Sequence, residues 1–268
     1  MPTWFYHQNP RMAAWIIFFF IESLSLFGLW LARRLVMRPL QYHEGVHEAV
    51  SGTVQAIGVF YGITVGLIAV GVWNTNEGAK DLVSKEASSA GALYRDVSGY
   101  PSPLREQLRG DVRGYLVYII NDVWPAQKKG QVVMRGAQLL DDFQAKLYNF
   151  EPANQGQMAL HAETLRAYNN MVDYRRLRID AVSSGLSGTM WAVIWVGAAF
   201  SIGVAYFYKI NDGKLHAVLI FLMSGFLALV VFMITINDKP FYGNGSISSD
   251  PYKLILEHVI DHVIDSGR

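Results

Sequence analysis

Residues 54–73 read VQAIGVFYGITVGLIAVGVW, with no acidic or basic side chain among them. About 20 apolar residues are what one helix needs to cross a ~30 Å hydrocarbon layer, so this run reads as a membrane span. Three further runs have similar length: Ala13 to Leu31, Gly188 to Tyr208 and Leu215 to Ile236. The chain is 51% apolar and 17% charged, and these runs show that its apolar residues are bunched, not spread. The first run is longer than the ~7 to 15 residues of a signal-peptide core and no small-residue cleavage site follows, so it is expected to be retained. Trp15, Trp30, Trp73, Trp191, Tyr206 and Tyr208 lie near the ends of the runs, where aromatic belts sit.

Between the second and third runs lie residues that carry most of the charge with helical periodicity. Leu104, Leu108, Val112, Tyr115, Ile119 and Val123 form one apolar stripe, and Val133, Ala137, Leu140, Phe143 and Leu147 form another. Helices are predicted over 77–98, 103–124, 131–149 and 156–184, separated at Gly99-Tyr100-Pro101-Ser102-Pro103, Trp124-Pro125 and Glu151-Pro152. No breaker stands between the second run and Asp96, or between Tyr168 and the third run, so both spans are expected to continue as long helices outside the membrane. The expected fold is all-α: four transmembrane helices with a membrane-attached helical bundle inserted between the second and third. The divisions are 1–76 (spans one and two), 77–184 (extramembrane bundle), 185–236 (spans three and four) and 237–268 (a turn-rich loop and an amphipathic helix).

Two histidine patterns invite a metal reading. His43-Glu44-Gly45-Val46-His47 spells H-E-x-x-H, in which two imidazoles one helical turn apart grip zinc while the glutamate activates water. No third ligand follows at the spacing such sites use, and the acidic residues Glu77 and Asp81 lie beyond a membrane span. The plainer reading is a polar entry to the second helix. His258 and His262 repeat the spacing on the polar face of the C-terminal helix, beside Asp261 and Asp265, where a solvated face is the simpler account. Asn244-Gly245-Ser246 is formally a glycosylation acceptor and equally an Asn-Gly turn. The absence of cysteine excludes disulfides, thiolate-held metals and thiol catalysis. A net charge of +1 gives no reason to invoke nucleic acid.

The second span carries two distinctive faces. Gln55, Gly58, Gly62 and Gly66 continue the line of His47 and Ser51 and make a double G-x-x-x-G, which serves either close helix packing or the lining of a cavity. Gly52, Ala56, Phe60 and Thr64 form another line, small residues around one aromatic. Around an axis of symmetry, a ring of Phe60 side chains forms a hydrophobic constriction able to gate by dewetting.

Gly58-Val59-Phe60-Tyr61-Gly62-Ile63-Thr64-Val65 followed by Trp73-Asn74 resembles the second-span signature of bestrophin anion channels. The whole chain more closely resembles the bacterial bestrophin-like family. The matching features are His47, Gly52, Glu86-Ala87, Leu93-Tyr94-Arg95, Trp124-Pro125, Arg175 to Arg178 and Asp238-Lys239-Pro240-Phe241-Tyr242-Gly243. Bestrophins are pentamers with four spans per subunit, so the resemblance implies that layout and puts Phe60, Ala56 and Gly52 at a pore constriction. The chain departs from bestrophins at Ala56, where they carry a further aromatic, and at Gly71-Val72, in place of Arg-Trp. It also lacks an acidic calcium-binding cluster near the end of the fourth span.

Glu22 lies inside the first run, where a carboxylate costs about 2.5 to 3.5 kcal/mol on insertion scales, so it is expected to face protein or water. Arg175, Arg176 and Arg178 are expected at a membrane entrance, able to concentrate anions or to anchor on lipid headgroups. The same cluster conflicts with Arg33, Arg34 and Arg38 over which side the termini face. The functional expectation is a homo-oligomeric ion channel conducting anions, not an enzyme, without cofactor, in the bacterial inner membrane. Its partners are the lipid bilayer, further copies of itself, a pentamer by resemblance, and small inorganic ions, with no nucleic acid. The competing readings are a non-conducting scaffold or sensor and a zinc peptidase built on His43, Glu44 and His47.

Overall fold

The structure, a computed structural model, describes residues 3–36, 46–133 and 135–261. Every regular element among them is helical. We number the longer helices α1 (Pro10–Leu31), α2 (Val46–Val97), α3 (Leu104–Tyr118), α4 (Arg135–Tyr148), α5 (Gln155–Val182), α6 (Gly188–Ala205), α7 (Gly213–Asn237) and α8 (Asp250–Ile255). Four of them, α1 with its extension to Val36, α2, α6 and α7, are long and apolar enough to cross a membrane. The protein is therefore an all-helical membrane protein with four candidate spans.

The chain divides into two compact units, Met1–Thr75 with Gly185–Asp238 and Asn76–Ser184 with Lys239–Arg268. In the first unit, Ala13, Ile17 and Ile21 of α1, Tyr61, Val65, Ala69 and Val72 of α2, Ile194, Ala198 and Ile202 of α6 and Val231 and Ile234 of α7 share one core. In the second, Val83, Ala87, Ala90, Leu93 and Val97 of α2 share a core with Leu108, Val112 and Tyr115 of α3, Leu140, Phe143 and Leu147 of α4, and Tyr168 and Met171 of α5.

Helix starts follow local chemistry. Asn9 accepts from the Arg11 N–H ahead of α1, whose first residue is Pro10, and Asp212 accepts from Lys214 and Leu215 ahead of α7. Asn154 accepts from Gln157 N–H while the Gln157 side chain accepts from Ala153 N–H, a reciprocal cap on α5.

Two expectations about helix continuity meet different outcomes. The second span does continue, as α2 runs unbroken for 52 residues. The third does not: α5 stops at Val182 and α6 starts at Gly188. The Ser183 and Ser184 hydroxyls donate back to the carbonyls of Asp180 and Ala181, Gly185 follows, and the Ser187 hydroxyl caps α6 by accepting from Met190 N–H. Serines that bond their own backbone compete with the helix ladder, which is why this segment breaks without a proline. The helix expected to end at Trp124-Pro125 instead passes through it. A π-helical turn over Ile119–Val123 lets Trp124 N–H reach the Ile119 carbonyl, and Pro125 then sits in the first turn of Trp124–Gln127. The widened turn accommodates a residue that cannot donate.

Candidate functional site

The faces of α2 settle where its small residues and its aromatics go. Tyr61 is buried and donates to the Ile194 carbonyl of α6 at 3.1 Å. The ring lies where a Cβ on Gly197 would be 2.4 Å away, so α2 and α6 touch through this missing side chain. Phe60, next in sequence, points elsewhere and is 73% exposed. Gly52, Ala56 and Thr64 are exposed with it, and Thr64 donates to the Phe60 carbonyl. Val59, Ile63, Leu67 and Val70 widen the same uncovered apolar face.

Gly58, Gly62 and Gly66 make no close helix contact among the described residues: nothing there outside the helix backbone comes within 4 Å of a Cβ built on any of them. They border a cavity of ≈ 400 Å³ whose opposite wall is Phe226, Val230 and Met233 of α7. Ser201 of α6 also lines it, buried and with its hydroxyl unpartnered among the described residues. Gln55, on the same line, is exposed and donates to Ser51.

Glu22 faces protein. It is 4% exposed, with Oε2 2.9 Å from the Ser224 hydroxyl on α7. A Cβ on Gly225 would come to 3.0 Å from Oε1, so that glycine makes room for the carboxyl group. His43 and Glu44 lie outside the described residues. His47 rests edge-on against Tyr208, ring centroids 5.7 Å apart. Among the described residues no cluster of three or more His, Asp or Glu side chains forms a metal site. His258 is exposed, and His262 and Asp265 lie outside the described residues.

The arginine cluster separates into three different situations. Arg176 is exposed and Arg175 half-buried. Arg178, expected with them at a membrane entrance, is instead 1% exposed inside the second unit. Its Nε and Nη2 donate to Glu86 at 2.6 and 3.2 Å, Tyr115 donates to the same carboxylate at 2.7 Å, and the guanidinium lies 5.6 Å over the Trp124 ring. The helical period puts it on the inner face of α5, where only a charge with a matched partner survives burial. Burial alone would weaken its hold on the proton, and the adjacent Glu86 carboxylate reverses this, so its pKa is raised. Burial first, and then the charge of Glu86, push the hydroxyls of Tyr115 and Tyr252 well up.

Sequence reasoning quoted Glu86 and Arg178 separately but could not join them across 92 residues. It also passed over Gly197 and Ser224, whose partners sit on other helices. The Trp124 motif and the Lys239–Gly243 motif likewise belong together. Trp124 Nε1 donates to the Ile247 carbonyl at 2.9 Å, and its ring packs edge-on against Phe241 and Tyr252. Gly243, at φ 78°, donates to the Lys128 carbonyl at 3.0 Å, a left-handed conformation that favours glycine.

Comparison with solved structures finds the same fold in membrane proteins, a bacterial bestrophin homologue among them. A structure described as a membrane protein variant superposes with TM-score 0.68 at 8% identity, over 94% of this chain and 97% of that one. A variant of a bacterial bestrophin homologue from Klebsiella pneumoniae gives 0.65 at 9% identity, over 97% and 100%. A second membrane protein variant gives 0.63 at 11% identity, over 92% and 97%. No curated protein matches the chain significantly in sequence. The sequence profile of the bestrophin-like domain matches residues 19–252, and the chain belongs to that family.

Proposed function

We propose that the protein is a homo-oligomeric ion channel of the bacterial inner membrane, conducting anions along α2, with Phe60 as its hydrophobic constriction. The observation that carries this reading is the line Gly52, Ala56, Phe60 and Thr64, exposed on a span that already has a buried face of its own. Membership of the bestrophin-like family and the fold shared with a bacterial bestrophin homologue support it. Copies arranged around an axis, five by analogy with bestrophins, bring these faces together. Small residues flank the narrowest ring, and Phe60 supplies the apolar barrier that closes by expelling water. In this arrangement residues 77–184 form the extramembrane vestibule, and Arg176 is the member of the arginine cluster free to attract anions at its surface.

The test is the reversal potential of the purified protein in planar bilayers under a KCl gradient, with Phe60→Ala beside the wild type. A potential near the chloride value with larger mutant currents is expected. A potential near the potassium value keeps the channel and overturns the anion assignment. Silence from both proteins, with insertion verified, turns the reading to a non-conducting scaffold.

A further inference from the structure

Behind the Glu86–Arg178 pair lies a small cavity, and its polar lining is incomplete. Arg178 uses two of its nitrogens on Glu86, but Nη1 has no hydrogen-bond partner among the described residues although the residue is 1% exposed. The Tyr118 hydroxyl and the Gln127 Oε1, on residues 7% and 2% exposed, are also buried without partners among the described residues. All three residues line one cavity of ≈ 10 Å³, together with Arg175 and Tyr115. Buried polar groups left unpaired cost stability, and three around one hollow mark a place where something completes them. Gly136 keeps the hollow open: a Cβ there would stand 3.2 Å from the Tyr118 ring and 3.3 Å from Arg175 Nη2.

The electrostatics select the occupant. Two guanidinium groups, Arg175 and Arg178, border the cavity, and the neighbouring carboxylate is Glu86, whose oxygens already accept from Arg178 and Tyr115. Arg175 makes no ion pair among the described residues. Glu86 balances the buried Arg178, and the half-buried Arg175 adds one further positive charge beside the cavity. A water molecule would satisfy the hydrogen bonds but not the charge. Arg178 Nη1, Arg175 and the Tyr118 hydroxyl are all donors, and a half-turn of the Gln127 amide presents its NH₂ as a further one. The hollow has room for one small spherical guest and too little for the tetrahedral phosphate and sulfate ions.

We infer that this cavity, inside the helical unit of a single subunit, is a binding site for one small monatomic anion of the chloride class. The anion completes the donors of Arg178, Arg175 and Tyr118 and locks α3 to α5. Because the site lies within one unit, it does not depend on whether the protein conducts.

Thermal unfolding of the full-length protein in detergent, with chloride exchanged for gluconate at constant ionic strength, reads the site directly. Chloride and bromide are expected to raise Tm saturably and sulfate is not. Arg175→Gln is expected to weaken the halide dependence roughly tenfold or more, as loss of a charge-assisted donor should. Tyr118→Phe, which removes one hydroxyl and keeps the ring, should weaken it in the same direction and serves if Arg175→Gln fails to fold. Crystals soaked in bromide are expected to show an anomalous peak within hydrogen-bond distance of Arg178 Nη1. Equal melting in chloride and gluconate, undiminished halide dependence in both variants, or an ordinary water in place of the bromide peak would overturn the assignment.

Discussion

Tyr168 shows how a single buried hydroxyl ties the stability of the second unit to pH. Its ring stacks on Phe143 at 5.4 Å, its hydroxyl donates to the Leu140 carbonyl at 3.0 Å, and burial pushes its pKa from 10.0 up to about 12. In the unfolded chain the hydroxyl loses its proton near 10.0, so above that pH the unfolded state binds fewer protons than the folded one and stability falls as pH rises. The contribution is complete below about pH 10 and gone above about 12, and Tyr115 and Tyr252, raised further, act in the same direction. Melting temperature should therefore hold steady up to about pH 10 and then drop, with Tyr168→Phe showing a shallower drop. A melting temperature indifferent to pH through 12, or an unaltered slope in the variant, contradicts this account. At this scale the sequence was informative about burial and silent about partners. The period of three and four put Phe143 and Leu140 on the inner face of α4, but nothing local to Arg178 announces Glu86 as its counter-charge. A single sequence encodes which face of a helix is apolar, whereas the choice of partner is made by tertiary packing.

Between elements, the contact of α2 with α6 turns on one absent methyl group. Gly197 was legible only as a small residue in an apolar run, yet a Cβ there would meet the Tyr61 ring at 2.4 and 2.5 Å. Gly197→Ala forces the ring or the helix to move, an overpacking cost of about 1–3 kcal/mol, while Tyr61 must also keep its bond to Ile194. The expected outcome is a lower Tm in detergent for Gly197→Ala, with partial recovery when Tyr61→Leu is added, because the flexible smaller side chain can make way. Equal stability of Gly197→Ala and wild type would show that the helices are not held at this crossing. The double G-x-x-x-G of α2, in contrast, was legible as a small-residue face open to two readings, close packing or the wall of a cavity, and the sequence could not choose because the pattern is identical in both cases. Helix continuity followed the same rule. Proline was overvalued as a breaker at Pro125, where a π-turn absorbs it, and serine undervalued at Ser183 and Ser184, where side chains compete for the backbone.

For the molecule as a whole, length and hydropathy were enough to read four spans, because the bilayer imposes one requirement on every crossing helix. Which exposed apolar face meets lipid and which meets another copy is not written in hydropathy, since lipid tails and a neighbouring helix are equally apolar. The face of α1 carrying Trp15, Phe19 and Phe27 and the face of α2 carrying Phe60 are both exposed and both apolar. They differ in residue size: bulky rings on α1 suit lipid, while Gly52, Ala56 and Thr64 allow close approach around an axis. The chain contains no cysteine, so single cysteines can be introduced against a blank background. If α2 surrounds an axis, Ala56→Cys should form disulfide-linked dimers readily in native membranes, because equivalent positions converge there, whereas Phe19→Cys should remain monomeric under the same oxidant. Cross-linking at Phe19→Cys and not at Ala56→Cys would reverse the assignment, placing α1 at the subunit contact and Phe60 in lipid, where its replacement could not alter a pore.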